Sequence, residues 1–205
     1  MIAIIDYGVG NLFSVEKAFA ALGAEAKITN NPAEIKAAEK LVLPGVGAFG
    51  DCMKNLEESG LIPLLKEEVA AGKPLLGICV GLQILFNGSE ESPEAKGLGL
   101  IPGQVKRIQA EGLKVPHMGW NRLHISEPRR EKDLFAGLEQ DKEYVYFVHS
   151  YHAVPEDKSV VTATTDYGER LTASVQAGNI FATQFHPEKS GDVGLRIIDN
   201  FCKLS

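Results

Sequence analysis

The segment Leu75-Leu76-Gly77-Ile78-Cys79-Val80-Gly81-Leu82-Gln83-Ile84-Leu85-Phe86 joins a short apolar run to a second apolar run through the pattern G-x-C-x-G. Leu75–Ile78 has the length and composition of a buried strand, and Leu82 to Phe86 is expected to start a helix. A nucleophile between two glycines at such a junction forms an elbow, a tight strand-to-helix turn with the reactive atom at its tip. A Cβ at either glycine would crowd the turn. At a helix N-terminus the dipole favours thiolate, the reactive form of cysteine. Alone, the pattern also suits a small buried cysteine at an ordinary strand–loop–helix junction.

The first half of the chain repeats this alternation. Ile2–Ile5 is strand-like, Leu12–Leu22 is apolar at helical spacing and is stopped by Gly23, and Ala24–Ile28 is a second short strand. Leu41-Val42-Leu43 is a buried strand ended by Pro44-Gly45, and Leu61–Ala71 is a helix closed by Gly72 with Pro74 beyond. Strands alternating with helices imply a parallel sheet covered on both faces. The second half is strand-rich: Leu98–Ile108, Asn121–Ile125, Tyr144–Val148, Val160–Thr164, Leu171–Gln176 and Ile180–Phe185, with a hairpin around Gln176-Ala177-Gly178-Asn179. An amphipathic helix, Val193–Leu204, follows. The expectation is one α/β domain over residues 1–205. Its central sheet should be mixed and mainly parallel, flanked by helices, with smaller antiparallel strands in the second half.

Composition narrows the function. With 21 Lys and Arg against 27 Asp and Glu, the net charge of −6 lacks the basic footprint of a nucleic-acid binder. Three cysteines without a CxxC pair argue against a disulfide scaffold or zinc ribbon and for a reducing compartment. The start, Met1-Ile2-Ala3-Ile4-Ile5-Asp6, has no basic region before its apolar residues and suits a core strand better than a signal peptide. The longest uncharged run, Pro74 to Ser89, is too broken by polar residues and glycine for a membrane span. A soluble, cytoplasmic protein is expected.

Two further motifs follow their own strands. In His186-Pro187-Glu188, residues two apart in extended chain share a face, so Glu188 can fix the tautomer of His186 and leave the other ring nitrogen as a base toward Cys79. In Pro44-Gly45-Val46-Gly47, glycine on both sides of Val46 lets backbone N–H groups turn toward a ligand. A carbonyl under attack by Cys79 needs such donors, and the Val80 N–H is another.

GICVGLQ (77–83), HPEKS (186–190) and PGVG (44–47), in this order and over this length, resemble the class I glutamine amidotransferases. DYGVGN (6–11), HMGWN (117–121) and FVHSY (147–151) narrow the resemblance to members that act as the glutaminase subunit of a two-subunit synthase. Val80 and Leu82 stand where the family often has Leu and Met.

The resemblance implies a Cys79-His186-Glu188 triad that hydrolyses glutamine without metal or cofactor. It implies oxyanion donors at Val80 and within Val46-Gly47, and substrate contacts at Gly45, Gln83, Ser150 and Tyr151. It further implies a heterodimer with a cyclase subunit, a (β/α)₈ barrel that receives the ammonia, with Asn11, Met118, Trp120 and Lys189 as interface candidates. Two alternatives keep the fold: a glutaminase serving another synthase, for instance in a surface-sugar pathway, or a non-catalytic regulatory binder.

Other signals are weaker. Gly8-Val9-Gly10 lacks the third glycine of a dinucleotide fingerprint, since Phe13 stands there. His149 and His152 lie in strand-like sequence with no Cys or carboxylate cluster to complete a metal site. Pro128-Arg129-Arg130-Glu131-Lys132-Asp133 is mixed in sign and suits a solvated loop, and Glu57-Glu58 and Glu67-Glu68 suit solvated helix faces.

Overall fold

The structure is a computed structural model that describes residues 1–127 and 132–204. The Pro128–Asp133 loop expectation falls largely on residues 128–131, outside the described residues.

The chain begins with strand β1 (Ile2–Ile5), helix α1 (Leu12–Ala21), β2 (Ala26–Thr29), α2 (Pro32–Ala37), β3 (Lys40–Gly45), α3 (Phe49–Glu58), α4 (Ile62–Ala70), β4 (Leu75–Cys79) and α5 (Val80–Gln83). Then come β5 (Gly88–Ser89), β6 (Gly103–Arg107), β7 (His117–Arg122), β8 (His124–Ile125), β9 (Tyr144–His149), β10 (Tyr151–Pro155), β11 (Val161–Tyr167), β12 (Glu169–Ala177), β13 (Ile180–Thr183) and α6 (Gly191–Lys203), with a 3₁₀ turn at Pro187–Lys189.

The main sheet has eight strands in the order β2-β1-β3-β4-β13-β12-β11-β8. Its first five strands are parallel, and β12, β11 and β8 add antiparallel pairs, so the sheet is mixed as the alternation predicts. β1, β3 and β4 are buried along their whole length, which is why they appear in the sequence as continuous apolar runs. The β12–β13 hairpin has Ala177 opposite Ile180, leaving a two-residue loop with Gly178 at φ +57°. Two smaller sheets, β10-β6-β5 and β7-β9, wall one side of the site.

Three differences from the sequence reading stand out. Leu98–Ile108 is a strand only from Gly103 to Arg107. Before it, Leu98, Leu100 and Ile101 donate their N–H groups to the carbonyls of Ile84 and Leu85, with Gly99 at φ +64°. That apolar stretch caps the segment after the elbow and does not pair in a sheet. Second, α5 is a single turn: Leu82, Ile84, Leu85 and Phe86 are all fully buried, leaving no polar face for a longer surface helix. So short a helix aligns few peptide dipoles, which weakens the dipole argument for the thiolate. Third, Asn121–Ile125 is split at Leu123 between β7 and β8, which join different sheets. Helix α2 is absent from the sequence reading, and α3 enters it only through the Glu57-Glu58 helix face. Asn31 caps the first, accepting from the Ala33 N–H.

Candidate active site

Neighbouring parallel strands β3, β4 and β13 deliver three motifs to one edge of the sheet. Their carboxyl ends carry the Pro44–Gly47 loop, Cys79, and, three residues beyond β13, His186. This is where open α/β sheets bind ligands.

The elbow is strained. Cys79 has φ +56° and ψ −113°, a conformation rare for a residue with a side chain. Its flanking glycines are required by packing: a Cβ on Gly77 would lie 2.9 Å from the Gly81 carbonyl oxygen, and one on Gly81 would lie 1.9 Å from the Leu43 carbonyl oxygen. Gly45 meets the same crowding from across the sheet, its Cβ position falling 2.6 Å from the Gly81 nitrogen. Glycine at these three positions lets β3 and the elbow close on each other.

His186 Nδ1 and Glu188 Oε1 are 2.7 Å apart, with the two side chains 3% and 1% exposed. Burial alone would lower the His186 pKa. Hydrogen bonds with Cys79 and Glu188, and the charges of both, outweigh it and hold the imidazole up at about 9. The ring is thus cationic at neutral pH and lies between Cys79 and Glu188. The other carboxylate oxygen, Glu188 Oε2, is buried with no partner among the described residues.

A pocket of about 330 Å³ opens over Cys79 and His186. Val46, Gly47, Val80, Gln83, Ser150 and Tyr151 all line it, whereas Gly45, at the end of β3, is not among its lining residues. Behind the Val46 loop, the Tyr7 hydroxyl donates to the Pro44 carbonyl at 2.6 Å and the Cys52 thiol donates to the Val46 carbonyl at 3.3 Å. Cys52 is fully buried, and burial pushes its pKa up to about 11, so it stays a neutral donor. Because C=O and N–H point oppositely across a trans peptide, fixing the Val46 carbonyl also fixes the Gly47 N–H.

Several site residues were given no role by the sequence, and of these only His149 lies within a quoted motif, FVHSY. Gln184, fully buried, presents Nε2 to Cys79 Sγ at 3.8 Å and accepts from Gln83 Nε2 at 3.0 Å. Glu91 places a carboxylate in the pocket wall and accepts from the Phe49 N–H at 2.8 Å, capping α3 from a distance. His149 and Pro116 complete the far side. Their sequence neighbourhoods are loops and strand ends, where burial and role are set by distant chain.

Two of the four interface candidates share a face. Met118 and Trp120 are 62% and 57% exposed on one side of β7. Trp120 reaches to 3.9 Å from the Cβ position of Gly191, just past exposed Lys189, while Asn11 is half-buried at the start of α1, which packs on the same turn. Phe13, 73% exposed in the first turn of α1, was not singled out by the sequence. Among the described residues there is no cluster of three potential metal ligands and no helix long and apolar enough to cross a membrane.

A strained cysteine elbow, a buried histidine–carboxylate pair and a glycine-framed loop facing one pocket define a thiol-dependent acyl-transfer site. The model of the glutamine amidotransferase class-I family matches residues 3–204, and the chain belongs to that family. Two relatives carry the name imidazole glycerol phosphate synthase subunit HisH. The one from Syntrophotalea carbinolica is 54% identical, covering 98% of each chain. The one from Methanothermobacter thermautotrophicus is also 54% identical, covering 100% of this chain and 98% of its own. Among solved structures, a crystal structure of a glutamine amidotransferase superposes with a TM-score of 0.75 at 23% identity, over 98% of this chain and 99% of that one. PurLQS from Thermotoga maritima gives 0.73 at 20%, over 98% and 96%. These last two likenesses speak to the fold alone.

Proposed function

We propose that this chain is the glutaminase subunit of an imidazole glycerol phosphate synthase, releasing ammonia from glutamine for a cyclase subunit that closes the imidazole ring in histidine biosynthesis. The observation that carries the chemistry is the meeting of Cys79 and His186 at one pocket, with Glu188 paired to His186 behind it. The identity of about one half to synthase subunits over the full chain supports the particular partner.

The Cys79 thiolate attacks the side-chain amide carbon of glutamine. The oxyanion receives N–H groups from Val80 and from Val46–Gly47. The His186 imidazolium gives its proton to the departing amide nitrogen, the C–N bond breaks, and a glutamyl thioester and ammonia result. Neutral His186 then takes a proton from water as its oxygen attacks the thioester, and the C–S bond breaks to release glutamate and restore the thiolate. Glu188 holds the ring and stabilises its charge throughout. Glu91, a carboxylate in the pocket wall, suits the α-ammonium of the substrate, with Gln83, Ser150 and Tyr151 beside it. The exposed Met118–Trp120 face, with Lys189 and Asn11, is the proposed docking surface for the cyclase. Three free cysteines fit a cytoplasmic setting.

The test is glutamate release from glutamine with and without the cyclase subunit and its nucleotide ligand. Activity that is low alone and rises strongly in the complex, and is abolished by Cys79→Ala, is the expected result. High activity untouched by the cyclase would assign another partner, and an unchanged rate in Cys79→Ala would overturn the triad.

A further inference from the structure

Strand β7 turns Met118 and Trp120 outward and, by strand alternation, His117 and Asn121 inward. His117 stands directly opposite His149 of β9, and its Nδ1 lies 2.8 Å from His149 Nε2. The contacts continue both ways. Asn121 Nδ2 is 3.1 Å from His117 Nε2, and His149 Nδ1 is 2.9 Å from the Tyr151 carbonyl oxygen. That same oxygen accepts from Gln83 Nε2 at 3.1 Å, and Gln83 leads through Gln184 to Cys79.

A carbonyl oxygen only accepts, so His149 must carry its proton on Nδ1. Its Nε2 then accepts from His117 Nδ1–H, and His117 Nε2 accepts from the Asn121 amide. Every proton in the chain has one consistent place. Burial keeps both rings neutral, pushing His117 down to about 4 and His149 to about 3. The His117 ring is also held flat between Phe147 and Tyr167, at centroid distances of 4.7 and 4.2 Å. Nothing in the triad chemistry uses either ring.

We propose that His117 and His149 are positioning residues for glutamine, a fixed-tautomer relay that sets the Ser150–Tyr151 wall of the pocket according to the placement of β7. This rests on the reading of the pocket as a glutamine site and of the outer face of β7 as the cyclase-facing surface. The strand that meets the partner on one side thereby holds the substrate wall on the other. A shift of β7 that lengthens one link frees the Tyr151 carbonyl and, with it, Gln83.

The experiment has a spectroscopic and a kinetic arm. Histidine ring ¹⁵N spectra of the wild-type full chain at neutral pH should show His117 and His149 both protonated at Nδ1 and bare at Nε2. A His149 proton on Nε2, or a cationic ring at either position, overturns the proposal. In the complex with the cyclase subunit, His117→Phe keeps the aromatic stack but cannot donate to His149. Its KM for glutamine should rise roughly tenfold, the worth of one well-made hydrogen bond, with a smaller change in kcat. His117→Asn places an amide N–H where Nδ1 stood and should recover most of that loss. An unchanged KM in His117→Phe, or equal damage in His117→Asn, also overturns it. Should His117→Phe fail to fold, the wild-type spectrum and His117→Asn decide. If the wild-type complex releases no glutamate, the glutaminase reading fails, while the ring-nitrogen spectra still test the relay.

Discussion

Glu188→Gln removes one charge from the site at nearly constant shape, and its effect follows from the geometry. The Nδ1–Oε1 contact is 2.7 Å with both side chains buried, so solvent screens it little. A hydrogen bond to a charged group contributes about 1.5–3 kcal/mol, and one pH unit of titration corresponds to about 1.4 kcal/mol. The His186 midpoint, about 9 in the native protein against burial that opposes it, should therefore fall by about one to two pH units in the variant. NMR titration of the His186 ring in the otherwise unaltered chain reads this directly. In the proposed mechanism the imidazolium is the acid that expels ammonia, so the alkaline limb of the kcat profile should move down by a similar interval. The variant also loses a fixed tautomer, and kcat should drop by about 10²–10⁴-fold.

Stability has a defined sign. The native pKa of His186 lies above its ordinary value of 6.5, so its cation stabilises the fold fully below that value, and the contribution is lost as pH rises through about 9. The wild-type urea midpoint should fall across that window, and the variant's should fall less. An unchanged His186 midpoint with undiminished kcat would refute the assignment of Glu188 as the partner that charges the ring.

Gly81→Ala drives a Cβ into the Leu43 backbone oxygen, which cannot rotate away, and should lower stability by about 3 kcal/mol or more in urea unfolding, with loss of activity. Cys52→Ala releases the Val46 carbonyl. It should cut kcat by about fivefold at unchanged KM, with Cys52→Ser restoring most of it; no change would remove Cys52 from the support of the loop. Trp120→Ala should weaken cyclase binding by about 2 kcal/mol in titration calorimetry while leaving the alkylation rate of Cys79 in the isolated chain unaltered.

The sequence revealed what local chemistry controls. Buried parallel strands announce themselves because both their faces are apolar, and the elbow announces itself because only glycine fits beside Cys79. His186 and Glu188 are legible as a pair because two residues in extended chain share a face. Leu98–Ile101, within the expected strand Leu98–Ile108, shows that apolar composition does not tell pairing from capping, and only the carbonyls of Ile84 and Leu85 settle it. Gln184, Glu91, Tyr7 and Cys52 gained their roles from chain far away in sequence, and nothing in their neighbours signals it.

By itself, then, the sequence determined the alternating first half, the cysteine elbow, the histidine–carboxylate pair and the glycines that let them meet, since steric demand and hydrophobic period are local properties. The tertiary structure alone decided which carbonyls the Val46 loop turns inward, that His117 and His149 face each other across β7 and β9, and which oxygen of Glu188 is used. Those outcomes depend on where two distant stretches of backbone come to rest to within a fraction of a hydrogen-bond length, and on burial that removes water as a competing partner.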